Sequence, residues 1–166
     1  TALEFHKKGI NKIELSGGLY SNTILKDILE LPKALQVQIH NYYPPANEPF
    51  VFNLASKDEQ ISSLSINHVK KSIDLSSKIG SKIYAFHAGF RLDPKVSELG
   101  KKINKNSLIS RDEAIDLFIK RVKLLHGEAK KFNMQLMIEN NVISKKNIDH
   151  FQEDPLLFTN PKEIKE

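Results

Sequence analysis

The chain has 166 residues, a net charge of +5, 40% hydrophobic residues and no cysteine. This length suits a single domain with a sizeable core, and the lack of cysteine excludes disulfides and thiolate metal ligands, so a metal would need nitrogen and oxygen ligands. No apolar stretch approaches the roughly 20 residues of a membrane span and the start lacks the apolar core of a signal peptide, so we predict a soluble, cytoplasmic protein without a membrane partner.

The first third of the chain shows helix and strand signals in alternation. Residues 2–9 are typical of the last turns of a helix that ends at a glycine, and residues 11–15 of a short strand. A helix is predicted over residues 23–30, because apolar residues lie on one side of it and Pro32 stops it. The next strand is predicted over residues 36–40.

A proline-rich segment follows this strand. Its three prolines between residues 41 and 49 exclude regular structure and favour a shaped loop, which is where binding residues are often found. The sequence Ser56-Lys-Asp-Glu59 is typical of a capping box, so a helix is predicted from there to Gly80. The strand of residues 82–87 comes next.

The 21 residues 89–109 are longer than most connections, which predicts a lid or a binding insertion, or alternatively a partly disordered insertion. A second capping box, Ser110-Arg-Asp-Glu113, begins a helix with one apolar stripe that ends near Asn133. The strand of residues 134–139 follows, then a polar loop, and residues 159–164 resemble the cap and first turn of another helix.

This order of elements predicts an α/β protein with a parallel sheet and right-handed crossovers. Four strands do not close a barrel, and a complete (β/α)₈ TIM barrel takes about 250 residues. We therefore expect residues 1–166 to form one partial barrel domain of about four parallel strands with flanking helices, in which the first strand and the last three strands are missing.

Polar residues close three of the predicted strands, namely His40, His87 and Glu139. In parallel α/β proteins the ligand site lies at the carboxyl ends of the strands, so these three side chains can converge on one metal ion. Each also has a simpler explanation, because a histidine at a strand end can be a hydrogen-bonded structural residue and a glutamate at the rim can be hydrated.

Three further polar residues are candidates for contact with a substrate. Glu14 lies near the end of the first predicted strand, where it could also form a salt bridge with a neighbouring lysine. Asn140 and Asn141 follow Glu139, so they could orient its carboxylate or donate to substrate oxygen atoms. Small residues after His87, up to Gly89, permit close approach of backbone or substrate.

Four segments resemble the xylose isomerase-like barrel superfamily, which contains sugar and sugar-phosphate isomerases and epimerases and the endonuclease IV type of DNA repair enzymes. These segments are residues 9–15, His40 with the downstream Phe52-Asn-Leu-Ala-Ser56, His87-Ala-Gly89, and Ile138-Glu139-Asn140. The resemblance implies that Glu139 is a metal ligand. In the repair branch the residues that match His40 and His87 bind zinc, whereas in the isomerase branch these two histidines would bind a second metal or hydrogen-bond substrate hydroxyls. In the epimerase branch the residue at the Glu139 position is also the catalytic acid/base, and the remaining ligands come from later strands.

Two features point to different branches of this superfamily. The residues after Asn140, Asn141-Val-Ile-Ser-Lys-Lys, lack the glycine-rich turn of the repair enzymes and favour the sugar branch, whereas the Asn-Leu-Ala-Ser segment and the basic pI fit the repair branch. The lysines are spread along the chain, which favours a solvated surface over a nucleic-acid interface.

We predict a metal-dependent sugar or sugar-phosphate isomerase/epimerase that moves a proton next to a carbonyl. Its catalytic residue is Glu139, its metal ligands are Glu139, His87 and His40, and its substrate-binding residues are Glu14, Asn140 and Asn141. The cofactor is a divalent metal such as Mn, Mg, Co or Zn, and the partner is a small sugar, with oligomers possible. The alternatives are a zinc-dependent abasic-site nuclease, the only case with a nucleic-acid partner, and a non-catalytic barrel relative.

Overall fold

The computed structural model describes residues 1–104 and 108–164. Within them, four strands alternate with helices as follows: α1 Ala2–Lys7, β1 Lys12–Leu15, α2 Ile24–Leu29, β2 Gln36–His40, α3 Glu59–Lys78, β3 Ile83–His87, α4 Arg111–Lys130, β4 Gln135–Glu139 and α5 Lys145–Phe151. A short 3₁₀ helix, Val96–Glu98, lies in the loop before α4. The strands form one parallel sheet in the order β1-β2-β3-β4. The predicted α/β fold with parallel strands is thus confirmed.

One face of the sheet forms the core. Ile39, Tyr84 and Phe86 are fully buried on this face, beneath α3 and α4. Each of these two helices has 20 residues, and α4 contributes Phe118 and Leu125 from its apolar stripe. Because side chains alternate along a strand, His40 and His87, which follow Ile39 and Phe86, lie on the opposite face. Glu139 pairs with His87 across β3 and β4 and shares that face.

The helix caps differ in part from the prediction. Ser110 caps α4 as expected, and its Oγ accepts a hydrogen bond from the Glu113 amide at 3.2 Å, while the Glu113 carboxylate forms an ion pair with Lys57. The predicted cap at Ser56 is wrong, because Asp58 caps α3 and accepts from two backbone amides. The Ser56 hydroxyl instead donates to the Asp93 carboxylate at 2.8 Å.

The prediction for the residues after β4 is also wrong. A polar loop was expected, but Ser144 caps the helix α5, whose apolar contribution is the buried Phe151. The predicted helix start at residues 159–164 is a turn over residues 161–164 in the described part of the chain.

The long loop after β3 is anchored where the structure describes it; its residues 105–107 lie outside the described residues. Phe90 forms an antiparallel bridge with Leu156, and the Arg91 side chain donates to the Glu153 carboxylate and the Asp154 carbonyl. The first residues of this loop are therefore fixed to the chain that follows α5. In the described ranges, no helix combines the length and apolar character that crossing a membrane requires.

Candidate metal centre

The side chains that close β2, β3 and β4 meet on the open face of the sheet. Nε2 of His40 lies 3.2 Å from Oε2 of Glu139, and Nδ1 of His87 lies 3.6 Å from the same oxygen. One nitrogen or oxygen atom from each residue falls within 4.8 Å of the other two. The two imidazole rings touch edge to face, with their centroids 5.1 Å apart. The structure thus brings together the three residues predicted as metal ligands.

The register of the sheet explains this convergence. His87 pairs directly with Glu139 across β3 and β4, whereas His40 pairs with Ala85, two residues before His87. His40 therefore lies diagonally across from His87 on the same face, within reach of long or aromatic side chains. The three side chains come from adjacent strands, which form a rigid support for a site.

His87 carries a buried nitrogen that makes no hydrogen bond with the described residues. Its ring is 41% exposed overall, but Nδ1 is shut off from solvent and has no hydrogen-bond partner among the described residues. Burial lowers the pKa of His87, and the nearby His40 lowers it further, while the Glu139 carboxylate acts in the opposite direction. A neutral imidazole offers a lone pair, which is the form that binds metal.

The chemistry and spacing of these groups fit a divalent metal ion. Two nitrogens and one carboxylate oxygen are ligands that zinc and other transition metals accept. With metal–ligand bonds of about 2.1 Å at tetrahedral or octahedral angles, neighbouring ligand atoms lie roughly 3.0–3.4 Å apart. The separations of 3.2 and 3.6 Å around Oε2 of Glu139 are close to this range. In the described residues, no lysine or arginine lies within 4.0 Å of Glu139 to neutralise it instead.

Glu14 lies on the far side of His40. Its Oε1 is 3.7 Å from Nδ1 of His40, and its Oε2 accepts a long hydrogen bond of 3.4 Å from the Gln38 side chain. The sequence left open a salt bridge between Glu14 and a neighbouring lysine. Among the described residues, however, no lysine lies within 4.0 Å of the Glu14 carboxylate. Glu14 is therefore next to His40, at the nitrogen opposite the one that faces Glu139.

The two asparagines after β4 have different surroundings. Asn140 is exposed, and its amide donates to the Asn141 carbonyl at 3.4 Å. The Asn141 amide instead faces the carbonyls of Ala88, Gly89 and Leu157 at 2.8–3.2 Å. The NH₂ group of Asn141 therefore links β4 to the loop after β3, whereas Asn140 remains open to the solvent side.

Asn41 is a residue of the site that the sequence reasoning missed. It adopts a left-handed conformation with φ of 43°, and its Oδ1 accepts a hydrogen bond from the His87 amide at 3.3 Å. Its carbonyl accepts from the Tyr84 hydroxyl at 2.7 Å and from Nε2 of the buried His68 at 3.1 Å. An asparagine directly after a strand is a signal for this conformation, because asparagine is enriched there.

Behind the site, the segment after the proline-rich loop packs against Gly89. A Cβ atom on Gly89 would lie 2.7 Å from Oδ1 of Asn53 and 2.8 Å from Cβ of Ala55. The small residues after His87 were expected to permit a close approach of backbone or substrate. In the structure, the segment that contains Asn53 and Ala55 packs closely against Gly89. The contact holds the start of the long loop beside the candidate ligands.

The sequence model of the family described as "Xylose isomerase-like TIM barrel" matches residues 3–152. The fold resembles several solved structures. A D-tagatose 3-epimerase-like protein superposes with a TM-score of 0.69 at 13% identity, over 98% of this chain and 52% of its own. An L-ribulose 3-epimerase gives 0.55 at 18% identity, over 81% of this chain and 41% of its own.

A third structure is a xylose isomerase-like TIM barrel protein from Mycobacterium smegmatis in complex with magnesium. It superposes with a TM-score of 0.56 at 16% identity, over 85% of this chain and 45% of its own. The chain thus spans about half the length of these structures, and at these identities the likeness concerns the fold. The sequence matches none of the curated proteins.

Proposed function

The chain belongs to the xylose isomerase-like TIM barrel family, and we propose that the protein is a metal-dependent isomerase or epimerase of sugars or sugar phosphates. The observation that carries this proposal is the meeting of His40, His87 and Glu139 at the ends of three adjacent strands, where the buried Nδ1 of His87 has no hydrogen bond to any described residue. The likeness to structures described as sugar 3-epimerases agrees with the substrate class.

In this proposal His40, His87 and Glu139 hold one divalent metal, which is Mn, Mg, Co or Zn. When bound, such an ion would polarise a sugar carbonyl and the adjacent hydroxyl as a Lewis acid, which would lower the barrier to removing the proton from the carbon that bears this hydroxyl. Burial lowers the pKa of His87 and so favours the neutral form of its ring, which is the form that binds metal.

Glu139 has a second role in the reaction. Its Oε2 faces both imidazoles, and half of its side chain is exposed on the open face, where a sugar can approach. The carboxylate accepts the proton from the carbon next to the carbonyl and returns it in the second half of the reaction. Asn140, exposed beside Glu139, donates a hydrogen bond to a sugar hydroxyl in this arrangement.

Asn141 contributes to the substrate pocket mainly through its neighbours. Its amide holds the carbonyls of Ala88 and Gly89, so it fixes the backbone between His87 and the long loop. Because the chain spans about half the length of the similar structures, we propose activity for the whole protein, in which other strands of a barrel complete the metal's coordination and the substrate pocket.

The test is exchange of the proton next to the carbonyl in ketoses and ketose phosphates, followed by NMR in deuterium oxide with metal added back after chelation. Glu139→Gln should lower exchange by about 10²–10⁴-fold, the usual contribution of an acid/base group. The matched control is Glu113→Gln, which makes the same change where Glu113 pairs with Lys57. Full exchange in Glu139→Gln would refute the assignment.

One further assay distinguishes the isomerase proposal from the alternative in the repair branch, an abasic-site nuclease. An abasic-site nuclease would bind and cut abasic duplex DNA, and its binding would weaken steeply with salt because lysines and arginines displace counterions. Metal-dependent cleavage of abasic DNA without any proton exchange on sugars would overturn the isomerase proposal.

A further inference from the structure

We propose that Glu14 is a positioning residue that accepts the Nδ1–H of His40 and thereby leaves Nε2 of His40 as the metal-binding atom. This differs from the substrate contact predicted for Glu14 from the sequence. The inference rests on the proposed function, because it assigns His40 to the metal centre.

The His40 ring lies between two carboxylates. Oε2 of Glu139 is 3.2 Å from Nε2, and Oε1 of Glu14 is 3.7 Å from Nδ1. The His40 side chain is 12% exposed, so its ring has little room to turn, whereas the Glu14 side chain is 49% exposed. A distance of 3.7 Å exceeds the usual hydrogen-bond range of about 2.7–3.2 Å. The proposed hydrogen bond therefore requires the Glu14 carboxylate, the more exposed of the two side chains, to turn towards Nδ1 of His40.

The sheet places Glu14 at this edge of His40. Glu14 pairs with Gln38 across β1 and β2, and Gln38 lies two residues before His40 on the same face. Glu14 is therefore the diagonal neighbour of His40, within reach of a long side chain. The Gln38 amide donates to Oε2 of Glu14 at 3.4 Å, which leaves Oε1 for the imidazole.

A neutral imidazole carries its proton on one nitrogen only. With Glu139 as the sole acceptor, the proton would favour Nε2, at 3.2 Å from that carboxylate, and the lone pair would then be on Nδ1, the nitrogen that faces away from Glu139. Glu14 accepts the proton at Nδ1, on the other side of the ring, and so offsets the preference for the proton on Nε2. A carboxylate that accepts the second N–H of a metal-binding histidine fixes its tautomer and raises its basicity.

The first test measures the tautomer of His40 without metal. Long-range ¹H–¹⁵N spectra of the histidine rings are recorded on the metal-free protein at about two pH units above the ordinary histidine pKa of about 6.5, where an imidazole of ordinary pKa is neutral. Glu14→Ala should shift His40 towards the Nε2–H form, and Glu14→Gln, which keeps an acceptor oxygen without the charge, should fall in between.

The matched control is Glu30→Ala, which removes one carboxylate from the surface beside Lys26. It should leave the His40 ring signals as in the wild type. Identical His40 signals in Glu14→Ala and Glu30→Ala would overturn the role of Glu14.

The second test is the affinity for Zn²⁺ measured by calorimetry. Glu14→Ala should bind about 10–100-fold more weakly than the wild type, the range found when such outer carboxylates are removed. Unchanged affinity would overturn the positioning role. A wild type that takes up no Zn²⁺, Mn²⁺ or Mg²⁺ while its His40 tautomer still responds to Glu14 would refute the proposed function and support the Glu14–His40 contact.

Discussion

Replacing Asn53 with alanine should destabilise the protein strongly, although Asn53 touches none of the proposed ligands. The residue is fully buried, and its Oδ1 accepts hydrogen bonds of 3.0 Å from the amides of Ala55 and Phe90. Its Nδ2 faces the carbonyls of Phe90 and Leu92 at 3.2 and 3.1 Å, and Oδ1 of Asp93 at 2.8 Å. One side chain thus ties the long loop to the segment before α3.

The size of the effect follows from these contacts. Asn53→Ala leaves two backbone amides without their acceptor, at roughly 1–3 kcal/mol each. It also removes the two N–H donors that the three acceptors around Nδ2 share, worth about 1 kcal/mol each. Because the truncated side chain leaves space for water, we expect the lower end of this range, about 4 kcal/mol. This is a large part of the 5–15 kcal/mol that stabilises a typical domain.

Urea unfolding followed by circular dichroism measures this loss. The control is Asn67→Ala, which makes the same change at an exposed position of α3 and should alter stability by less than about 1 kcal/mol. Asn53→Asp still offers acceptor oxygens but faces the Asp93 carboxylate, so its loss of stability relative to the wild type should be larger at neutral pH than in acid. A cost for Asn53→Ala within about 1 kcal/mol of that for Asn67→Ala would refute the reasoning.

Two further stability predictions follow from buried groups. Gly89→Ala should lower the free energy of unfolding, measured with urea, by about 2–3 kcal/mol, because the new Cβ would overlap Asn53 and Ala55, which cannot move freely. An unchanged free energy of unfolding would show that these neighbours can move aside. Burial lowers the pKa of His68 from 6.5 to about 4, so the unfolded chain binds its proton first as pH falls. The contribution of His68 should leave the free energy of unfolding unchanged above about pH 6.5 and lower it by up to about 3 kcal/mol as the pH falls towards 4. His68→Phe should lack this part of the pH dependence.

The strands and the three ligand candidates could be predicted from the sequence because their signals are local. Ile39, Tyr84 and Phe86 sit at alternate positions in short apolar runs, and a polar residue ends each run. Parallel strands place such ends at one edge of the sheet, so the meeting of His40, His87 and Glu139 follows from the order of elements.

Other features depend on partners that are distant in sequence. Asn53 contacts residues 37 to 40 positions away, so its role as the anchor of the long loop has no local signal. Ser56 matches a capping box, but its hydroxyl is taken by Asp93, 37 residues later, and Asp58 caps the helix instead. α5 was missed because it buries few apolar residues; the cap residue Ser144 was the available signal.

The claim that His40, His87 and Glu139 form a metal centre is tested most directly by titrating the chelator-treated protein with Zn²⁺ and Mn²⁺ in a calorimeter. The wild type should bind an ion at this site, and Glu139→Gln and His87→Ala should each weaken binding at least tenfold, while Glu113→Gln should not. Equal affinity in the wild type and all three variants, or no binding by the wild type, would contradict the account.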